Sequence, residues 1–377
     1  MSAADVAVVG GGPIGLAIAW RAQQRGLRAV VLDAGEPGAW QVAAGMLAPV
    51  TETDFGEDAL LALGLQGAAR IEGVCDELAG ASGRDPGLHR AGTLVVARDA
   101  DEAAILDRLH GLQQSLGLAA DRLRPTAARR AEPGLAPTVR LALDVPGDRS
   151  VEPRALTAAL AEAVERAGGA IRARARVEAV LVEGERAVGV RLAGGEELRA
   201  AAVVLAAGTG LARVAGLPEG ARVPVRPVKG QILRLRDPQG PGLVQRTIRT
   251  PDAYLVPRPD GRYVLGATVE ERGFDVTPTA GGVFALIRDM SEVVPGVLEM
   301  VVEEVGAALR PGSPDNLPAI GPGALAGLHW ATGHYRNGIL LAPLTAELVV
   351  AGLAGETLPE WAAPADPRRF ATVEAPR

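Results

Sequence analysis

The chain is short of the residues that announce metal or disulfide chemistry. Its 377 residues include one cysteine, Cys75, which excludes an internal disulfide and a cysteine-built zinc site. The four histidines, His89, His110, His329 and His334, stand at no ligand-like spacing, so no metal is expected. Positive charge is also in deficit. Lys and Arg number 39 against 45 Asp and Glu, and a net −6 gives no reason to expect nucleic acid or an anionic membrane as partner. Long apolar runs are missing as well. The uncharged stretch near the N-terminus, Val6 to Trp20, follows Asp5 and is broken by Gly10, Gly11, Gly12 and Gly15, unlike a secretory signal. Ile339 to Val350 reads as too short to span a bilayer and carries Glu347. A cytoplasmic protein is expected.

What is present is an α/β pattern long enough for two domains. Val6-Ala7-Val8-Val9 reads as a strand buried on both faces, Ile14 to Arg25 as a helix stopped by Gly26, and Ala29 to Leu32 as a second buried strand. Thr51 to Ala127 reads as mostly helical, with a strand at Thr93 to Val96. Pro153 opens an alanine-rich helix that ends at Gly168-Gly169. Three alternating strands across Ala173 to Leu198 precede the apolar run Val203 to Gly208, where the chain should rejoin the first sheet. Pro224 to Val269 alternates and turns at Pro259-Asp260-Gly261, which predicts a separate antiparallel sheet. Trp330 to Gly333 and a helix starting near Ile339 return to the first sheet.

Gly10-x-Gly12-x-x-Gly15 lies between the first strand and the first helix. The first glycine permits a tight turn, the second a close approach to a pyrophosphate, and the third the packing of helix on strand. The helix N-terminus offers free N–H groups to a phosphate. Asp33, ending the second strand, is placed for the ribose hydroxyls, and its charge argues against a 2′-phosphate. Strand, glycines, helix, strand and acid follow in the order this motif requires. A dinucleotide is expected; the motif alone leaves NAD and FAD open.

Four further blocks carry a resemblance. Ala43-Ala44-Gly45-Met46-Leu47-Ala48-Pro49, Tyr254-Leu255-Val256-Pro257-Arg258, Leu309-Arg310-Pro311 and Thr332 to Gly338 together resemble the glycine oxidases (ThiO), within the D-amino-acid oxidase-like flavoproteins. The resemblance covers roughly residues 5 to 355. It implies non-covalent FAD in a Rossmann-like, glutathione-reductase-type domain that is discontinuous (1–48, 150–222 and 311–377). An α+β substrate domain with an antiparallel sheet would take 49–149 and 223–310. It also implies oxidation of glycine or a similar small amine by O2, yielding hydrogen peroxide and an imine that hydrolyses to glyoxylate and ammonia. A homotetramer and a role in making the thiazole of thiamine are usual in the family.

The same resemblance places Pro13, Ile14, Asp33 and Ala34 along the adenosine and pyrophosphate, and Ala44, Gly45 and Met46 toward the flavin. It places Val177 at the adenine, with Gly208 among the cofactor contacts. His334, Tyr335, Arg336, Asn337, Gly338, Ile339 and Leu340 would wrap the flavin ring. Arg310 and Tyr254 would hold the substrate carboxylate, with Arg336 at a second substrate position. Two departures stand out: Trp40-Gln41-Val42 is bulkier than the family's small or hydroxyl residues, and Val269 is smaller than expected near the pocket.

Read on their own, these residues keep other uses open. Arg310 could cap the turn at Pro311-Gly312, Tyr254 could be half-core, and His334 and Arg336 could cap a helix or pair with Glu347. No acid or base catalyst is assigned, because oxidation of a neutral amine needs orientation rather than an obligatory base. Sarcosine or D-amino-acid oxidation, a dehydrogenase passing electrons to quinone, and a non-catalytic FAD-binding protein are the competing readings.

Overall fold

Val6, Ala7, Val8 and Val9 are no more than 3% exposed because their strand, Ala4–Val9, lies inside a sheet covered on both faces. The computed structural model describes residues 4–371. The parallel heart of this first, eight-stranded sheet runs Ala170–Arg172, Ala29–Leu32, Ala4–Val9, Glu197–Leu205 and Leu328–Thr332. The antiparallel strands Val177–Glu183 and Arg186–Leu192 extend it on one side, and Ala319–Pro322 pairs with Leu328–Thr332. The third alternating strand does not stop at Leu198. It runs on as the buried strand to Leu205, first pairing antiparallel with Arg186–Leu192 and then parallel with Ala4–Val9.

Helices Pro13–Gln24, Asp58–Ser82, Pro153–Arg166 and Gly338–Leu353 bury one face of this sheet in a single apolar cluster. Gly67 allows the close crossing there, since a Cβ on it would stand 2.9 Å from the Leu340 carbonyl oxygen. The last of these helices is longer than its apolar core suggested. With the preceding turn it spans Tyr335–Leu353, long and apolar enough by length and composition to cross a membrane. Two thirds of it is buried against its neighbours, so its apolarity is that of a core helix.

The second sheet also has eight strands, in the order Val301–Gly312, Arg226–Arg236, Arg262–Gly266, Tyr254–Pro257, Thr247–Arg249, Thr93–Ala97, Leu141–Val145 and Asp121–Leu123. It is mixed rather than purely antiparallel, because Thr247–Arg249 and Thr93–Ala97 pair in parallel. Two distant segments meet at that point, and a parallel pair requires such a long connection. Helix Ala280–Ser291 covers one face, where Leu233, Leu235, Leu265 and Leu286 pack. On the other face Ile232, Val256 and Val264 meet Val42, Ala44 and Met46 from the loop after Ala29–Leu32. This small cluster is the seam between the two halves.

Candidate active site

The glycine loop has the geometry its spacing predicts. Gly10 adopts φ 117°, and a Cβ there would stand 2.5 Å from the Ala206 carbonyl oxygen. A Cβ on Gly15 would stand 2.0 Å from the Gly10 oxygen, so helix and strand touch at a distance only glycine permits. Helix Pro13–Gln24 has no side chain capping its N-terminus and no acid in its first turn, leaving its N–H groups to an incoming anion. The Asp33 carboxylate lies against the loop, 2.7 Å from where a Gly11 Cβ would be, and accepts from the Gly35 N–H at 3.1 Å. Trp40 packs its ring edge over Gly12, 3.4 Å from where a Cβ would be. The departure noted in the sequence thus borders the glycine loop itself.

The second loop is anchored by charged residues for which the sequence pattern predicts no role. Arg258 is 5% exposed; it donates to the Ala44 carbonyl at 2.6 Å and pairs with Glu152 at 2.8 Å. Arg234 approaches Glu152 at 3.7 Å and donates to the Gln41 carbonyl at 3.0 Å. Burial pushes the Glu152 carboxyl up, but the two guanidiniums outweigh it and hold it below its ordinary value. Gly45, at φ 73°, lies where a Cβ would stand 2.0 Å from the Val151 carbonyl. The signal was available at Arg234, a charge on the same strand face as Val228 and Ile232.

Arg310 and Tyr254 come together on the seam face of the second sheet. Arg310 sits opposite Val228 and Tyr254 opposite Gly266. Each lies flat on a glycine. A Cβ on Gly230 would stand 2.4 Å from the Arg310 guanidinium, and one on Gly266 would stand 2.6 Å from the Tyr254 hydroxyl oxygen. Arg310 Nη1 donates to the Lys229 carbonyl at 3.3 Å and the Thr268 carbonyl at 3.1 Å, which aims its fork along the sheet. Arg310 therefore sits within a strand rather than capping a turn. Burial pushes the Tyr254 phenol up, with the Arg310 charge opposing, so the hydroxyl stays protonated and able to donate. Arg249, opposite Tyr254 in register, pairs with Glu52 at 3.1 Å.

The remaining expected residues are placed less directly. Arg336 borders a shallow concavity with Glu52, Glu57, Leu60 and Leu61, and its guanidinium stands 4.0 Å from the Glu57 carboxylate. Glu52 links that concavity, through Arg249, to Tyr254. The turn Tyr335–Asn337 packs against the strand of Arg310, and among the described residues no hydrogen bond joins Arg336 to Arg310. The pairing weighed for Glu347 does not form, because Glu347 takes Arg70 at 2.7 Å. His334 is buried, with Nε2 at 2.8 Å from the Thr345 hydroxyl, and burial lowers its pKa to about 3. Its Nδ1 has no hydrogen-bond partner among the described residues. Helix Gly338–Leu353 also begins without a side-chain cap. Val177 is buried in its strand, Gly208 turns at φ 55°, and Met46 lies in the seam. Val269 is 63% exposed, so its small side chain lies at the surface rather than in the packed wall.

The donor set fits a flavin dinucleotide: a glycine cradle with a carboxylate beside it, two helix N-termini without side-chain caps, and a seam between them and a paired Arg and Tyr. Comparison with known proteins agrees. Residues 5–351 match the FAD dependent oxidoreductase family, DAO. The crystal structure of glycine oxidase from Geobacillus kaustophilus superposes with a TM-score of 0.90 at 33% identity, covering 97% of this chain and 98% of that one. Hydrogen cyanide synthase subunit HcnC of Pseudomonas aeruginosa is 30% identical over 97% of this chain and 96% of its own length. The bifunctional protein ThiO/ThiG of Trichormus variabilis is 34% identical over 92% of this chain, which spans 52% of that protein. The chain belongs to the DAO family of FAD dependent oxidoreductases, and it is an FAD-dependent enzyme of the amino-acid oxidase kind.

Proposed function

We propose that the chain oxidises glycine and comparably small amino acids or amines at the seam between its two sheets. The observation that carries this reading is the pair Arg310 and Tyr254, each laid on a glycine, on the face turned toward Ala44 and Met46. A planar guanidinium binds both oxygens of a carboxylate at once, and the protonated phenol adds a third donor. Bound in the seam, FAD supplies the two-electron acceptor for the substrate C–N unit. The chain supplies orientation and dryness. Ile232, Val256 and Val264 line the seam with apolar surface, which strengthens the pairing of carboxylate and Arg310.

The nearby ionisable groups are committed elsewhere, His334 to Thr345 and Glu52 to Arg249. The substrate amine therefore reacts in its neutral form, without a general base. The reaction balances as glycine plus O2 plus water giving glyoxylate, ammonia and hydrogen peroxide. On this reading 1–48, 150–222 and 311–377 form the FAD-binding domain, and 49–149 and 223–310 the substrate domain. The single buried, unpaired Cys75 suits a reducing cytoplasm. Similarity to ThiO/ThiG supports a supply of glycine imine to thiazole synthesis, and the family's homotetramer is the expected assembly. Similarity to HcnC supports a second reading, in which oxidation of the imine continues to cyanide and carbon dioxide.

The purified protein should be yellow, with flavin near one per chain and released by acid. Anaerobic glycine should bleach it, and readmitted oxygen should restore the colour with one peroxide and one glyoxylate per turnover. Sarcosine should follow glycine, then D-alanine. Cyanide in place of glyoxylate would favour the second reading, and no bleaching by any small amino acid would remove both.

A further inference from the structure

Lys229 is 1% exposed, an unusual place for an ammonium, and it lies on the strand that floors Arg310. Side chains alternate along a strand, so Lys229 and Gln231 point to the opposite face from Gly230 and Ile232. On that far face Lys229 Nζ donates to the Asp275 carboxylate at 2.8 Å and the Thr277 carbonyl at 2.6 Å. Glu270 is 3.9 Å from the same ammonium. Gln231 donates to Glu270 at 2.7 Å and accepts from the Thr279 N–H at 2.8 Å. The two neighbouring side chains thus strap residues 268–279 across the back of the sheet.

The strap's other fastenings are backbone bonds of Glu270 with Lys229 and of Thr268 with Gln231, the exposed Arg226–Glu271 pair and Arg213 over the Phe274 ring. The strap has no regular strand or helix beyond an isolated bridge at Glu270, and Val269, Phe274 and Val276 are all close to half exposed or more. Its hold comes from polar bonds rather than apolar burial. At its start the strap sets the substrate wall. The Thr268 and Lys229 carbonyls both accept from Arg310 Nη1, and the Lys229 carbonyl also accepts from the Glu270 N–H at 3.0 Å. A buried ammonium without partners is strongly unfavourable, so a lysine here is retained with its bonds or not at all.

We propose that Lys229 is a positioning residue for substrate recognition. It fixes the 268–279 strap from behind the sheet, and so holds the two carbonyls that aim Arg310 at the carboxylate. The inference rests on the reading of Arg310 as the carboxylate ligand. It predicts that loosening the strap weakens carboxylate binding while leaving the oxidation step and the flavin site alone.

The test uses flavin-loaded Lys229→Met, Asp275→Asn and Arg310→Ala enzymes. It compares steady-state kinetics with glycine and the dissociation constant of acetate, read from the flavin spectrum. Lys229→Met should raise the KM for glycine and the acetate constant together by about tenfold, with kcat within about threefold of the parent and full flavin content. Asp275→Asn keeps the Thr277 bond and should show the same split at about threefold; it decides the matter if Lys229→Met fails to fold. A lowered Tm with unchanged KM and acetate binding would make the lysine a staple only and overturn the proposal. If Arg310→Ala loses acetate while both strap variants keep it, this inference alone falls. If Arg310→Ala keeps acetate, the underlying reading falls with it.

Discussion

The two halves of the molecule both build their sites on glycine, and they do so in opposite ways. In the first sheet Gly10, Gly12 and Gly15 lie within six residues of one another on a single turn, where Gly15 answers to the Gly10 oxygen and Gly10 also meets Ala206 of the neighbouring strand. In the second sheet Gly230 and Gly266 belong to different strands, and each is required by a side chain from a neighbouring paired strand, Arg310 and Tyr254. The first kind of glycine is part of a local turn; the second is a floor that exists only once the strands have paired. A motif reveals the first and not the second.

The largest effect should come from the local kind. Gly15→Val places a Cβ about 2 Å from the Gly10 oxygen and a branched side chain behind it, so the first helix must leave the first strand. The variant should purify with little or no flavin and a clearly lower Tm. Parent-like yellow protein with normal thermal unfolding would break the comparison, since it would show that the helix has slack.

The distant kind should fail more gently. Gly230→Ala puts a Cβ 2.4 Å from the Arg310 guanidinium, the movable end of a long side chain. The guanidinium should shift while the fold holds, raising the KM for glycine about tenfold with Tm and flavin content near the parent. A drop in Tm without a change in KM would assign this glycine to packing rather than to aiming the arginine.

The same contrast explains what could be read in advance. The first strand, helix and acid were legible because each element is defined by a run of adjacent residues, and Asp33 follows from them by spacing. Arg310 and Tyr254 could be named by resemblance, but their shared face is a property of register, set by the pairing of Arg226–Arg236 with strands on either side. The Arg258, Glu152 and Arg234 cluster was not legible for the same reason: residue 152 opens a helix, 234 lies on one strand and 258 just past the end of another, and nothing local links them. The parallel pairing of Thr93–Ala97 with Thr247–Arg249 was missed because alternation gives strand faces but not strand order. The long C-terminal helix was legible as apolar, and only its neighbours show why.

The smallest effect is expected at the crossing between the halves, where Asp148 lies in the turn between Leu141–Val145 and Arg149–Val151. It is 1% exposed, and burial pushes its pKa up from the ordinary 3.8 to about 7, with the Thr51 and Thr93 hydroxyls opposing. Glu52 raises it further and Arg249 lowers it. A raised folded pKa means the folded state keeps a proton that the unfolded chain has released. Between about pH 4 and pH 7 stability therefore falls as pH rises, and above about pH 7 the loss is complete because both states are ionised. Asp148→Asn keeps a partner for Thr51 but has no proton to lose. Its Tm should match the parent near pH 4 and exceed it by a few degrees at pH 8, most of the gain appearing between those values. Other titrating groups are common to both proteins, so the difference between the two curves reports residue 148. A difference in Tm that stays constant from pH 4 to pH 8 would mean that this carboxyl titrates normally and that the crossing is open to water.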